Sequence, residues 1–249
     1  MKTYKTSLIL IFLLLGISPW AFSALPGMSS KHLRLVKDLM NNNLAYSQDA
    51  TTTNIIEWEE EIVDSLRQKK DYRNMFLMRQ MAVYAYSLQA KISEALKKAD
   101  AMMDEARLMK YNIGISLSYQ ALGDIYLNAG MRPEAVEEYE KAMKTLQATP
   151  HAEKIQERIF IQLVPTLIKL KRMDEAKAYL EHMSEICESK YLSPFLLYAY
   201  HAYYYLRNND LSKAREYIDE AIKINNRTPS HFYDNILKYM QAEYALETE

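Results

Sequence analysis

Five histidines, one cysteine and a run of acids are the residues here with the most obvious chemistry. His32, His151, His182, His201 and His231 are scattered, and no two sit at metal-ligand spacing. His182 and Cys187 are five apart on one predicted helix, a poor separation for shared ligation. Cys187 is the only cysteine, so no internal disulfide can form. Beside Ile186 it reads as a small, partly buried apolar residue rather than a reactive thiol. Glu59, Glu60 and Glu61 follow Trp58. Consecutive acids point around a helix, and near a helix start they complement the dipole, so they read as a solvated face. Asp124 follows Gly123 but has no His or Ser beside it to make a nucleophile and base. Gly114, Gly123 and Gly130 stand singly, so no glycine-rich loop can cradle a phosphate. No set of residues passes the geometric tests of an active site. The chain reads as a non-enzyme that calls for no cofactor and no metal. What remains is aromatic, the stretch YAYHAYYYL at 198–206. Aromatic rings give large contact area with few rotatable bonds, which suits binding. At helical spacing Tyr198 and Tyr205 belong to the core. That leaves Tyr203, with Tyr200 or Tyr204, to face a partner, and packing is the favoured role for most of these rings.

The elements that must position such residues are helical. The chain has 249 residues, 49% hydrophobic, with Gly 5 and Pro 7, which is too apolar for disorder and too poor in turn formers for a sheet protein. A formal charge of −1 argues against a nucleic-acid footprint. The first 23 residues resemble a leader: Lys2 and Lys5 are a positive n-region, LILIFLLL at 8–15 is the apolar h-region, and Ala21-Phe22-Ser23 offers small residues for cleavage. No cysteine lies near that site, so the expectation is a Sec-type signal peptide of an exported, periplasmic, non-lipoprotein chain. Losing Lys2 and Lys5 would take the charge from −1 to −3. The mature chain has no apolar run long enough to span a bilayer. Residues 24–71 form an N-terminal helical region: a short amphipathic helix over 31–45, a loop at 47–53, and a helix opened by the capping pair Asn54 and Glu57 and closed by 68–71.

From 72 to 249 the chain repeats. In 116–149, Tyr119, Leu122, Gly123 and Tyr126 make one helix face, Asn128-Ala129-Gly130 is a stop with a left-handed cap, Pro133 opens a second helix, and Ala135, Tyr139, Ala142 and Leu146 make its face. Two such helices form an antiparallel hairpin, with the small Gly123 and Ala135 on the faces that meet. Units fall at about 76–115, 116–149, 157–190 and 195–228, with a last helix over 230–247 whose stripe is Phe232, Ile236, Met240 and Tyr244. Ala95, Ala135, Ala176 and Ala214 are 40, 41 and 38 apart, and so are Tyr86, Tyr126, Leu167 and Tyr205. The turn inside each hairpin therefore has constant length. The outer units carry Val83 and Val164 where 116–149 has Gly123, and Pro165 predicts a kink that frees the Ile161 carbonyl.

Tyr119, Leu122, Gly123, Tyr126, Ala135, Tyr139 and Ala142 resemble the tetratricopeptide repeat pattern, whose period is about 34 residues. The longer spacing here places the excess in the second helix or the link. The resemblance implies an all-α fold, a right-handed α-solenoid of stacked antiparallel hairpins, whose first helices line a groove. It places in that groove Leu77, Gln80, Tyr84 and Ser87; Leu117, Gln120, Asp124 and Leu127; Arg158, Ile161, Pro165 and Ile168; and Leu196, Ala199, Tyr203 and Leu206. Of these, Gln80, Tyr84, Gln120, Asp124, Arg158 and Tyr203 are the candidate partner-binding residues. Lys and Asn, which clamp a C-terminal carboxylate in some family members, are missing from these sets. The order of elements over 54–145 also resembles the exported sensor region of Bacteroidetes repeat-bearing hybrid histidine kinases. By that resemblance the chain is the input half, or a stand-alone relative, of a signal-transduction system binding a protein or peptide. The alternative is a periplasmic scaffold for envelope-protein assembly.

Overall fold

The computed structural model describes residues 48–188, 194–227, 229 and 231–248. The leader, the helix expected over 31–45, the Ser193 cap and the Phe232 side chain lie outside what it describes. Among the described residues there are ten helices and no strand. They are α1 (Gln48–Gln68), α2 (Tyr72–Leu88), α3 (Ile92–Leu108), α4 (Asn112–Asn128), α5 (Arg132–Leu146), α6 (Glu153–Lys169), α7 (Met173–Glu188), α8 (Pro194–Arg207), α9 (Leu211–Arg227) and α10 (His231–Thr248). The fold is all-α, as the composition and periodicity predict. The chain divides into two compact units, Met1–Ala152 and Glu153–Glu249. In the first, each helix packs on the next and α2 also packs on α4. In the second, the same holds, with α8 packing on both α6 and α10. Contact between successive first helices is what stacked hairpins require.

The links explain the spacing. Three residues join α1 to α2, α2 to α3, α3 to α4, α4 to α5, α6 to α7 and α8 to α9. The middle residue of each has a left-handed backbone: Lys70, Ala90, Lys110, Gly130, Lys171 and Asn209, with φ between 52° and 82°. In each, the following amide reaches back to close the helix end, as in Asp71 N–H to the Leu66 carbonyl, 2.9 Å, and Met131 N–H to the Tyr126 carbonyl, 2.9 Å. This is the six-to-one bond of a Schellman cap. Two 17-residue helices and two such links account for the 40-residue period of α2–α3. The extra length therefore lies in first helices as well as second ones: α2, α4 and α6 each have 17 residues. A fixed turn constrains neither helix.

Three further expectations are corrected or refined. The stretch 48–53, expected as a loop, is the first part of α1; threonine is a weak helix former but not a breaker, and the helix extends back through it. Helix α6 runs through Pro165, and the hydroxyl of Tyr200 donates to the freed Ile161 carbonyl at 3.4 Å. In α10, Leu237 and Met240 are buried, while Ile236 and Tyr244 are half-buried.

The meeting of α4 and α5 is close. A Cβ built on Gly123 would lie 2.5 Å from the Tyr139 ring, so only glycine lets the ring lie there. Tyr139 is wholly buried. Gly114 plays a milder version of this part, with its added Cβ 3.0 Å from Phe76 and Ala106.

Candidate partner-binding surface

The first-helix face of the first unit holds a polar cluster. Gln80 and Tyr84 are one turn apart on α2; Gln120 and Asp124 are one turn apart on α4. The Asp124 carboxylate accepts from the Tyr139 hydroxyl at 2.7 Å and from the Gln80 amide at 3.3 Å. Asn128 donates to the Ser87 hydroxyl at 2.8 Å, which donates to the Tyr84 carbonyl at 2.8 Å. The Asn128 amide also hydrogen-bonds the Tyr84 hydroxyl. Burial, then the Asp124 charge, pushes the Tyr84 hydroxyl well above its ordinary range. Burial and the same charge do this to Tyr139.

Of the sequence-predicted residues, the cluster joins Gln80, Asp124 and Tyr84. All but Tyr84 are buried, and Tyr84 is half-buried. Gln120 is fully buried beside them in sequence, and neither its amide nitrogen nor its oxygen has a partner among the described residues. Arg158 and Tyr203 belong to the second unit and are also buried.

The aromatic stretch is partitioned differently from expectation. Tyr198 and Tyr205, expected in the core, are half-buried and pack on Tyr217 of α9, at 6.1 Å and 5.5 Å between centroids. His201 stacks on Tyr217 at 4.7 Å, and burial lowers its pKa, with Glu181 opposing. Tyr203, expected free, is 8% exposed. Arg207, one turn on, lies over its ring at 5.3 Å and is held in turn by Glu243 of α10. Periodicity on α8 alone cannot see a neighbour that arrives 36 residues later.

Sequence reasoning also missed an ionic cluster. Glu59, expected on a solvated face, is 1% exposed. It pairs with Lys98 of α3 and with Arg79 of α2, the latter at 3.4 Å. Arg79 also reaches Glu105 at 2.9 Å, and Arg67 joins Glu105 to Asp64 at 2.9 and 2.6 Å. The acids stand mid-helix because α1 begins earlier than expected, so the dipole argument does not apply to them. Burial raises the Glu59 pKa against the pull of Lys98. This one buried carboxylate thus joins α1 to both helices of the first hairpin.

Among the described residues no group of His, Cys, Asp or Glu is placed to hold a metal ion, and no helix is long and apolar enough to cross a membrane. Cys187 is half-buried.

The family model of the tetratricopeptide repeat matches residues 117–145 and 197–228. The first match covers most of α4 and α5, and the second covers most of α8 and all of α9. One match thus falls in each of the two units, and repeats of this kind suggest a protein partner. No curated protein matches the chain.

Proposed function

We propose that this protein is a non-catalytic repeat module, exported from the cytoplasm, that binds a protein or peptide and forms the input part of a signalling system. The two tetratricopeptide matches carry the binding reading. The leader-like sequence at 1–23 and the order of elements over 54–145 support the location and the signalling role. On this reading the partner lies along the first-helix face of the first unit. Tyr84, half-buried, touches it, its hydroxyl held by the Asn128 amide and set near the buried Asp124 charge. Gln120 lies buried on the same helix as Asp124, while Arg158 and Tyr203 belong to the second unit and are not part of this face.

The test is site-specific. A photo-crosslinking side chain at Tyr84 should capture a defined polypeptide from envelope extracts, and one at the exposed Lys223 should not. Tyr84→Ala should weaken that complex about tenfold, the effect of a modest interface anchor. Equal capture at both positions, or unchanged affinity in Tyr84→Ala, refutes the assigned face. If the captured partner leaves phosphotransfer by envelope histidine kinases unchanged, the module is an assembly scaffold instead.

A further inference from the structure

One end of the first unit combines an outstanding leucine with unpaired cations. The links 69–71 and 109–111 both lie at this end: the Tyr72 and Tyr111 rings meet edge to face at 6.4 Å, and Arg67 bridges to Glu105 at 2.9 Å. Leu108 ends α3 with 85% of its surface exposed, the most of any large hydrophobic residue described. Met109 beside it is half-exposed. Around the pair stand Arg107, Lys110, Lys69 and Lys70, all exposed, with Arg73 close to Tyr111. None of these five cations enters a salt bridge among the described residues, while the nearby Asp64 and Glu105 are already taken by Arg67 and Arg79. Asp71, whose carboxylate caps α2 through Asn74, and the exposed Asp104 are the other acids at this rim. Five cations against those two leave the rim positive on a chain whose formal charge is −1.

We propose that this end of the first unit is a docking surface for an anionic lipid bilayer. The charge excess selects phosphate-bearing headgroups, since each Lys or Arg near such a surface contributes about 1 kcal/mol, or about fivefold in affinity. Leu108 enters the acyl boundary, where a projecting side chain is surrounded without needing a matched pocket. A folded acidic protein would have to supply that pocket. Tyr72 and Tyr111 lie where amphipathic rings favour the headgroup level, and the long stems of Lys69, Lys70 and Lys110 can lie on lipid while their charges stay in water. The protein rests on the surface and does not span it.

The test uses the full chain with Leu108→Cys in a Cys187→Ser background, carrying an environment-sensitive fluorophore at 108. Its emission should shift to the blue with vesicles of phosphatidylcholine mixed with phosphatidylglycerol, and not with phosphatidylcholine alone. This local readout is separate from any binding through the apolar residues 8–15. In the unlabelled chain, Leu108→Ala should lower partition onto the anionic vesicles about tenfold, from loss of buried apolar surface. The triple variant Lys69→Ala, Lys70→Ala, Lys110→Ala should lower it about 100-fold. All four positions are exposed, so circular dichroism should show both variants folded. No shift at 108, or partition unchanged in both variants, overturns the proposal. So does binding of polyglutamate that the triple variant abolishes and Leu108→Ala leaves unchanged, which would make the rim a site for acidic polypeptide.

Discussion

The hairpins α4–α5 and α2–α3 solve one packing problem with opposite residues. In α4–α5 a glycine, Gly123, lies under a large ring, Tyr139. Forty residues earlier, α2–α3 has the larger Val83 on its first helix and the small Ala99 on its second, both buried in one cluster filled out by Tyr86, Ile92 and Leu96. At the same register the second unit has Val164 and Leu180 in α6–α7 and Ala202 and Ile218 in α8–α9, all buried. The missing glycines are therefore not decay of the pattern. Between α4–α5 and α2–α3, a larger residue on the first helix is matched by a smaller one on the second, since close packing lets two facing helices divide the space between them in more than one way.

This comparison can be broken in graded ways. The largest effect should come from Gly123→Ala. Its Cβ would meet the Tyr139 ring at 2.5 Å with no room for the ring to retreat, so denaturant unfolding should show a loss of about 3 kcal/mol despite alanine's better helix propensity. The pair Gly123→Val with Tyr139→Ala copies the α2–α3 solution and should recover part of that loss. If Gly123→Ala is neutral, the close approach does not constrain the hairpin. Next, Tyr139→Phe keeps the ring but removes the hydroxyl bonded to buried Asp124, and should cost about 2 kcal/mol at neutral pH. That difference carries a pH signature. The Tyr139 pKa is raised by burial above its ordinary 10.0, so the folded state holds the proton longer than the unfolded chain. Its contribution is complete below pH 10 and is lost as pH rises above it, so the gap between wild type and Tyr139→Phe should narrow by about 1.4 kcal/mol per pH unit there. A gap constant from neutral to alkaline pH would show that the hydroxyl titrates normally. Smaller again, Gly130→Ala should cost about 1 kcal/mol, because φ of +82° is left-handed and nothing crowds the site. Ala90→Gly, at the equivalent link of α2–α3 with φ of 58°, should stabilise by about 0.5 kcal/mol. Equal signs for the last two would mean that the links are not equivalent.

What could be read from residues alone followed from how local each signal was. The hairpins, the constant turn, the left-handed Gly130 and the carbonyl freed by Pro165 all depend on residues within a turn of each other, and the structure has each. The left-handed Lys70, Ala90, Lys110 and Lys171 carry no residue-type signal; only their spacing marks them. The pairing of Glu59 joins α1 to residues 20 and 39 positions away, and no pattern within a helix contains it. The covering of Tyr203 depends on α10 in the same way. Family position puts Gln80 and Asp124 on one face, and they do meet, 44 residues apart, but as a buried pair. Family position gave the face; burial depends on what neighbouring helices lay over it.

The three-residue links have a kinetic consequence. They keep each helix beside its sequence neighbour, so few contacts must wait for distant segments to find each other. Such a topology has low contact order, and chains of this kind fold fast, with nucleation open to any hairpin. Either unit can begin while the remainder is still extended, and synthesis from the amino terminus offers α1 to α5 first.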